Sequence, residues 1–280
     1  FMKIFEYFEL LIIGLKYYVY NFFLSVTDFF KIPLILNTIN YNISIGSFLK
    51  FVSLKILIFY EYFFLPPRWI TNLEIKKYKI PNAENYTYGE TPYITITEIL
   101  KDLIDLTQTK DYIFIDLGCG VGKTVFITNI LFGIQSIGVD NIQIFITKAN
   151  KIKKILKLSV IFIKSEIIEF LEELSLEKLF LEELQNKIKQ DNKKIVFFIA
   201  ATAFEENFFN HLISRIVSKV KDSIVITISK SISVKKLSLP KYNKVEILKI
   251  LSKEYFFSWG KSKVYFYQVI NEIKNEVDKS

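Results

Sequence analysis

Cysteine and histidine are almost absent from these 280 residues: Cys119 is the only thiol and His211 the only imidazole. A lone cysteine excludes an internal disulfide framework and any metal site built on several thiolates. A lone histidine excludes a multi-histidine metal centre and leaves little room for a Ser-His-Asp triad. The chain therefore reads as intracellular, either cytoplasmic or peripheral to the inner face of a membrane. Also missing is the uninterrupted apolar run of about 20 residues that a membrane-spanning helix needs. The nearest approach, Ile43 to Leu65, carries Lys50, Lys55 and Glu61, each costing about 2.5–3.5 kcal/mol near a bilayer centre. The start mixes Lys3 with Glu6 and Glu9 and shows no small-residue cleavage site, which argues against a signal peptide. No internal repeat is present.

Aromatic residues are abundant, with 27 Phe and 16 Tyr, and Ile, Lys and Asn are in excess. AT-rich coding produces such a bias, so the mean hydropathy of +0.28 overstates the case for a membrane protein. The net charge of +8 would suit nucleic acid, anionic lipid or an acidic protein. Lysine alternates here with Ile and Leu instead of forming a block, the pattern of a solvated basic surface and not of a nucleic-acid groove. The length allows one principal domain with an appendage. Residues 1–67 form a hydrophobic helical extension that either packs on that domain or lies on a membrane. Pro66-Pro67 ends it, residues 68–85 read as a linker, residues 86–270 as the main domain and residues 271–280 as a tail.

From Ile94 onward strand and helix alternate. Apolar spacing predicts helices over Ile94–Leu106, Lys123–Phe132 and Ile142–Leu156. Short apolar runs predict strands over Tyr112–Leu117, Ser136–Val139, Val160–Ile163, Ile195–Ile199 and Ser223–Ile228. Glu166 to Lys189 reads as an amphipathic helix with Leu171, Leu174, Leu184 and Ile188 on one stripe. Val245–Leu251 and Lys263–Ile270 bracket Ser258-Trp259-Gly260 as a closing antiparallel hairpin. The alternation predicts an α/β fold with a mostly parallel sheet covered on both faces.

The string Asp116-Leu117-Gly118-Cys119-Gly120-Val121-Gly122-Lys123-Thr124 follows a buried strand and opens a helix. Glycines there let the backbone turn tightly and approach a ligand, with a helix N-terminus behind them. Three nucleotide motifs compete. A phosphate-binding P-loop ends correctly at Gly122-Lys123-Thr124, but its first glycine would fall on Leu117. A dinucleotide fingerprint would need its third glycine at Lys123. The remaining pattern, acidic-x-G-x-G-x-G, is the first motif of class I methyltransferases. One strand later, Ser136-Ile137-Gly138-Val139 ends in Asp140, where a carboxylate can accept both ribose hydroxyls of an adenosyl group or cap the next helix. Cys119 reads as a small loop filler, and His211, after Phe208-Phe209-Asn210 on a helix, as structural.

Outward from that loop the sequence resembles the non-SET histone-lysine methyltransferases of the disruptor-of-telomeric-silencing type and their bacterial relatives. Tyr88-Gly89-Glu90-Thr91 matches the family's Y-G-E-T loop, which closes over the methionine end of the cofactor. Asp116 to Gly122 matches D-L-G-S-G-V-G, Gly138-Val139-Asp140 resembles G-V-E, and Lys164-Ser165-Glu166 falls where the family has G-D-F. Ser258-Trp259-Gly260-Lys261 and Val264-Tyr265-Phe266-Tyr267 resemble its terminal hairpin. The resemblance implies a Rossmann-like class I sheet, S-adenosylmethionine as cofactor, and cofactor contacts from Tyr88, Glu90, Thr91, Asp116, Gly118, Gly120, Gly122, Lys123, Asp140 and Glu166. It implies an acceptor site near Tyr88, Thr202, Phe204 and Trp259. One departure stands out: Ala200-Ala201-Thr202-Ala203-Phe204 replaces N-N-F-A-F, so alanine stands where the family's site asparagine does. The acceptor is then a protein lysine or a small molecule, with nucleic acid not expected as a substrate and a membrane approached through residues 1–67. Rival readings are a methyltransferase of a membrane-soluble molecule and an adenosyl-binding scaffold without catalysis.

Overall fold

A computed structural model describes residues 30–37, 43–78, 89–109, 111–173, 194–220, 222–234, 237 and 244–272. Its centre is a seven-stranded sheet in the order β3-β2-β1-β4-β5-β7-β6. The strands are β1 (Tyr112–Leu117), β2 (Gln135–Asp140), β3 (Val160–Lys164), β4 (Lys194–Ile199), β5 (Ser223–Ile228), β6 (Lys244–Phe257) and β7 (Gly260–Glu272). The first five run parallel, and β7 enters antiparallel between β5 and β6. All six residues of β1 are buried, as a central strand covered on both faces requires. Strand alternation divides them: Phe114 joins one hydrophobic cluster, and Ile113 and Ile115 join the other.

The helices are α1 (residues 30–37), α2 (Ile45–Tyr62), α3 (Pro67–Tyr78), α4 (Tyr93–Thr107), α5 (Lys123–Phe132), α6 (Gln143–Leu156), α7 (Ile167–Glu173) and α8 (Glu206–Lys219). Helices α2, α4, α5 and α6 share the first cluster, while α7 and α8 share the second. Helix α5 is apolar almost all round and nearly every residue is buried, because the sheet lies beneath it and both α2 and α4 lie against it. Helix α2 packs on α5 and α6 through Phe51, Leu54, Ile58 and Tyr62. No helix among the described residues is long and apolar enough to cross a membrane.

Two expectations change here. The stretch expected as a linker from residue 68 opens with helix α3, and Pro67 starts that helix instead of only ending the one before. Proline suits a first helical position because its missing N–H would have no partner there; Trp69 N and Ile70 N donate to Pro66 O at 2.9 and 3.2 Å. The hairpin is also longer than Val245–Leu251 and Lys263–Ile270. An irregularity between Lys249 and Leu251 shifts the pairing and breaks the alternation that would have marked the longer β6. Of the helix expected from Glu166, Ile167–Glu173 is helical with Leu171 buried; Leu174, Leu184 and Ile188 lie outside the described residues.

Candidate active site

The parallel strands end on one edge of the sheet, and the loops that leave β1, β2 and β4 there carry the motif residues. Gly118, Gly120 and Gly122 have φ of +89°, +52° and +80°, a region that costs other residues roughly 1–2 kcal/mol each. Gly118 N and Cys119 N both donate to Val139 O at 2.9 Å, which stitches the loop to the end of β2. Space is as restricted as conformation. A Cβ on Gly122 would stand 2.6 Å from the Phe162 ring, and one on Gly138 would stand 2.8 Å from Cys119 Sγ. Cys119 is therefore the small filler between loop and strand. Burial first, then the nearby Asp140 and Asp116, raises its thiol well above the ordinary range, so it is no thiolate nucleophile.

Two carboxylates face this loop. Asp140 accepts from Gly120 N at 2.8 Å on Oδ2 and from Ile142 N at 2.9 Å on Oδ1. It thus fixes the glycine loop and the entry to α6 at once, the second of these being the helix-capping role that its position suggested. Burial raises its carboxyl to about 6 against the pull of those two amides. Asp116 is also buried; burial pushes it up to about 8, although Thr124 donates a hydrogen bond to it. Helix α5 starts behind Gly122 with no side-chain cap, leaving its N-terminal amides for a ligand.

The Y-G-E-T loop and the hairpin turn meet beside this edge. Glu90 pairs with Lys123 at the start of α5, and both side chains are largely buried. The same ammonium lies 4.4 Å from the centre of the Tyr93 ring. Ser258 Oγ donates to Glu90 O at 2.8 Å. The Trp259 ring lies so close over Gly89 that a Cβ there would stand 2.9 Å from Cζ3. Trp259 is stacked on Phe257 at 4.8 Å and donates from Nε1 to Ser262 Oγ at 2.9 Å. Thr91 is buried next to this contact in sequence. Tyr88 lies outside the described residues.

Past β4, Ala201–Ala203 form a single 3-10 turn with Ala201 fully buried. Thr202 Oγ1 and Ser229 Oγ are 3.1 Å apart, and Phe204 packs edge-on against Phe208 at 5.0 Å. Ser229 has a φ of +70° and is held at the end of β5 by its N–H, which donates to Lys263 O at 2.8 Å. Glu166, after β3, accepts from Asn141 Nδ2 at 2.7 Å and is exposed. His211 is exposed on α8.

Sequence reasoning missed Thr124, Phe162 and Tyr62. Thr124 adjoins the motif and was visible as a hydroxyl one residue past Lys123. Phe162 and Tyr62 gave no local signal. Tyr62 reaches the site from α2: burial first, and then Cys119 and Asp140, hold its hydroxyl above the ordinary tyrosine range.

An adenosyl cofactor with a cationic methionine end fits these groups. The glycine loop offers backbone with no Cβ in the way, Asp140 keeps further lone pairs on both oxygens, and Asp116 is a carboxyl whose ionised form burial disfavours and a cationic group would favour.

The profile of the family described as "Histone methylation protein DOT1" matches residues 70–270, well over half of the chain. Among solved structures, the chain is similar to the yhhF protein of Escherichia coli at 12% identity and TM-score 0.41, covering 61% of this chain and 84% of that one. It is similar to an RNA methyltransferase from Salinibacter ruber in complex with S-adenosyl-L-homocysteine at 14% identity and TM-score 0.39, covering 65% and 96%. It is also similar to TrmN from Thermus thermophilus at 11% identity and TM-score 0.42, covering 63% and 49%. Likeness at these scores carries no argument about substrate. No curated protein matches the chain.

Proposed function

The chain belongs to the DOT1 histone methylation protein family, and from that premise we propose that this S-adenosylmethionine-dependent methyltransferase modifies the side-chain amine of a protein lysine. The cofactor supplies an electrophilic methyl group on a sulfonium. In this reading Asp140 holds the ribose hydroxyls, Glu166 faces the adenine, and the amides of Gly118 to Gly122 line the adenosyl path. Asp116 takes the cationic methionine end, with Glu90, Thr91 and Lys123 closing over it from the Y-G-E-T side and Tyr88 extending that loop.

The observation that carries the acceptor reading is the junction of Trp259 with Gly89 and of Ser258 with Glu90. An aromatic ring, 38% exposed, lies against Gly89, on the loop that in this reading closes over the cofactor. An aromatic wall disfavours a charged ammonium through desolvation yet attracts a methylated one, which suits an amine that must arrive neutral. Thr202, Phe204 and Trp259 line the acceptor side. No described residue is needed as a strong base if the amine is already neutral on arrival, so catalysis is alignment.

The test is transfer of labelled methyl from S-adenosylmethionine to proteins of a cell lysate, followed by acid hydrolysis. Methyl-lysine in the hydrolysate is the expected result. Label confined to an organic extract would instead establish the second reading, a lipid-soluble acceptor. That reading has its own observation in the exposed apolar residues of α2. Label in neither fraction, with cofactor bound, would mean an adenosyl-binding scaffold.

A further inference from the structure

Helix α2 is apolar on two opposite faces. Advancing 100° per residue, Phe51, Leu54, Ile58 and Tyr62 form the face buried on α5 and α6. Ile45, Leu49, Ile56 and Tyr60 fall on the other side, and all are exposed, Ile56 by 62% and Tyr60 by 71%. Phe64, just past the helix, is 88% exposed. The 18 residues span about 27 Å, so this is a continuous stripe and not a scatter of single side chains, which would call for no explanation. A helix in water keeps its outward face polar.

The charges indicate what covers the stripe. The helix has one acid, Glu61, and it is turned inward: its side chain is 9% exposed and held by Lys151 at 2.5 Å and Lys148 at 4.0 Å from α6. Lys50 on α2 and Arg68, four residues past Phe64, are exposed. This face therefore presents apolar and aromatic groups, with one cation on the same helix and another just beyond its end, and its acid compensated. The sequence leading into it continues the trend, with Lys16 the one charged residue between Leu10 and Thr27. A second copy of the chain across a two-fold axis would meet this face with the same cations. An anionic bilayer surface meets both properties at once, taking aromatic side chains at headgroup depth and attracting lysine and arginine.

We propose that the outward face of α2, with Lys50 and Arg68, docks the enzyme on the surface of an anionic lipid bilayer. The methyltransferase domain then hangs from α5 and α6, with the helix lying flat and no segment of it crossing. This holds whichever acceptor is methylated.

The experiment is co-sedimentation of the full chain with vesicles of phosphatidylcholine, with and without phosphatidylglycerol. Binding is expected to the anionic vesicles and to weaken with added salt. The variant Leu49→Gln/Ile56→Gln/Tyr60→Gln should lower the partition coefficient on the order of a hundredfold, with cofactor affinity unchanged as the sign that the fold is intact. Lys50→Gln and Arg68→Gln should each lower it about fivefold. Absence of binding to anionic vesicles overturns the proposal. So does binding that survives the triple substitution, which would assign it to residues outside α2. A triple variant that turns a dimer into a monomer while wild type ignores vesicles would make a second copy the occupant.

Discussion

The proposed cofactor end and the proposed acceptor end of this site are built in opposite ways. At the cofactor end, backbone does the work within one short stretch: Gly118 to Gly122 turn back on β2, and Asp140 fastens the loop through its Gly120 amide. At the proposed acceptor end, the contacts join distant segments: Ser258 and Trp259, between β6 and β7, reach Glu90 and Gly89 before α4, while Thr202 after β4 meets Ser229 after β5. Backbone geometry tolerates almost no substitution, since each glycine is fixed by its φ or by a neighbouring atom. Contacts between remote side chains can be exchanged one at a time. The first end therefore keeps a recognisable pattern, and the second is where Ala200-Ala201 departs from it.

The comparison breaks most readily at Gly122. Gly122→Ala adds a Cβ at 2.6 Å from Phe162 in a left-handed conformation. The expected loss is about 2–5 kcal/mol, from roughly 1–2 for the backbone and 1–3 for overpacking. Thermal unfolding reads it directly, and an unchanged transition would mean that the loop is not rigid. At Asp140 the expected loss is in affinity: Asp140→Ala should cost about 1.5–3 kcal/mol per charge-assisted bond to the ribose, measured by calorimetric titration of S-adenosylmethionine.

A pH series probes the same end more gently. The Asp116 carboxyl sits at about 8 against an ordinary value near 3.8. Between those values the folded, ligand-free protein keeps a proton that the unfolded chain has released, so its stability falls as pH rises. A cationic ligand favours the ionised form, so cofactor affinity should rise over the same window, by up to about tenfold per pH unit below 8. Asp116→Asn should flatten that rise. At the proposed acceptor end the smallest effect is expected: Ala200→Asn, at a half-buried position, should leave cofactor affinity within about 0.5 kcal/mol while altering transfer to lysine. A large change in affinity there would show that the two ends are not separable.

This contrast also explains what could be read in advance. Strands β1 and β5 and helix α5 begin and end where their apolar runs do, because a doubly covered strand has no polar face to blur its limits. The glycine loop and Asp140 were legible from spacing alone. Phe162 and Tyr62 were not, since one belongs to an ordinary strand and the other to a helix in the N-terminal extension that contacts the site only through tertiary packing. Pro67 misled because proline both ends and begins helices, and its neighbours do not say which. The longer β6 stayed hidden because a bulge resets its alternation.

Strand β7 is the last strand of the sheet in sequence, yet it sits between β5 and β6. During synthesis β5 must keep an open edge, and β6 emerges before its only neighbour exists. Ser258 and Trp259, which pin Glu90 and Gly89, belong to the same late hairpin. The loop proposed to close on the cofactor is secured by Ser258, 168 residues later in the chain, so on that reading the cofactor's full stabilising effect waits for the finished protein. The unpaired β5 edge is the stretch that a nascent chain most needs to have shielded.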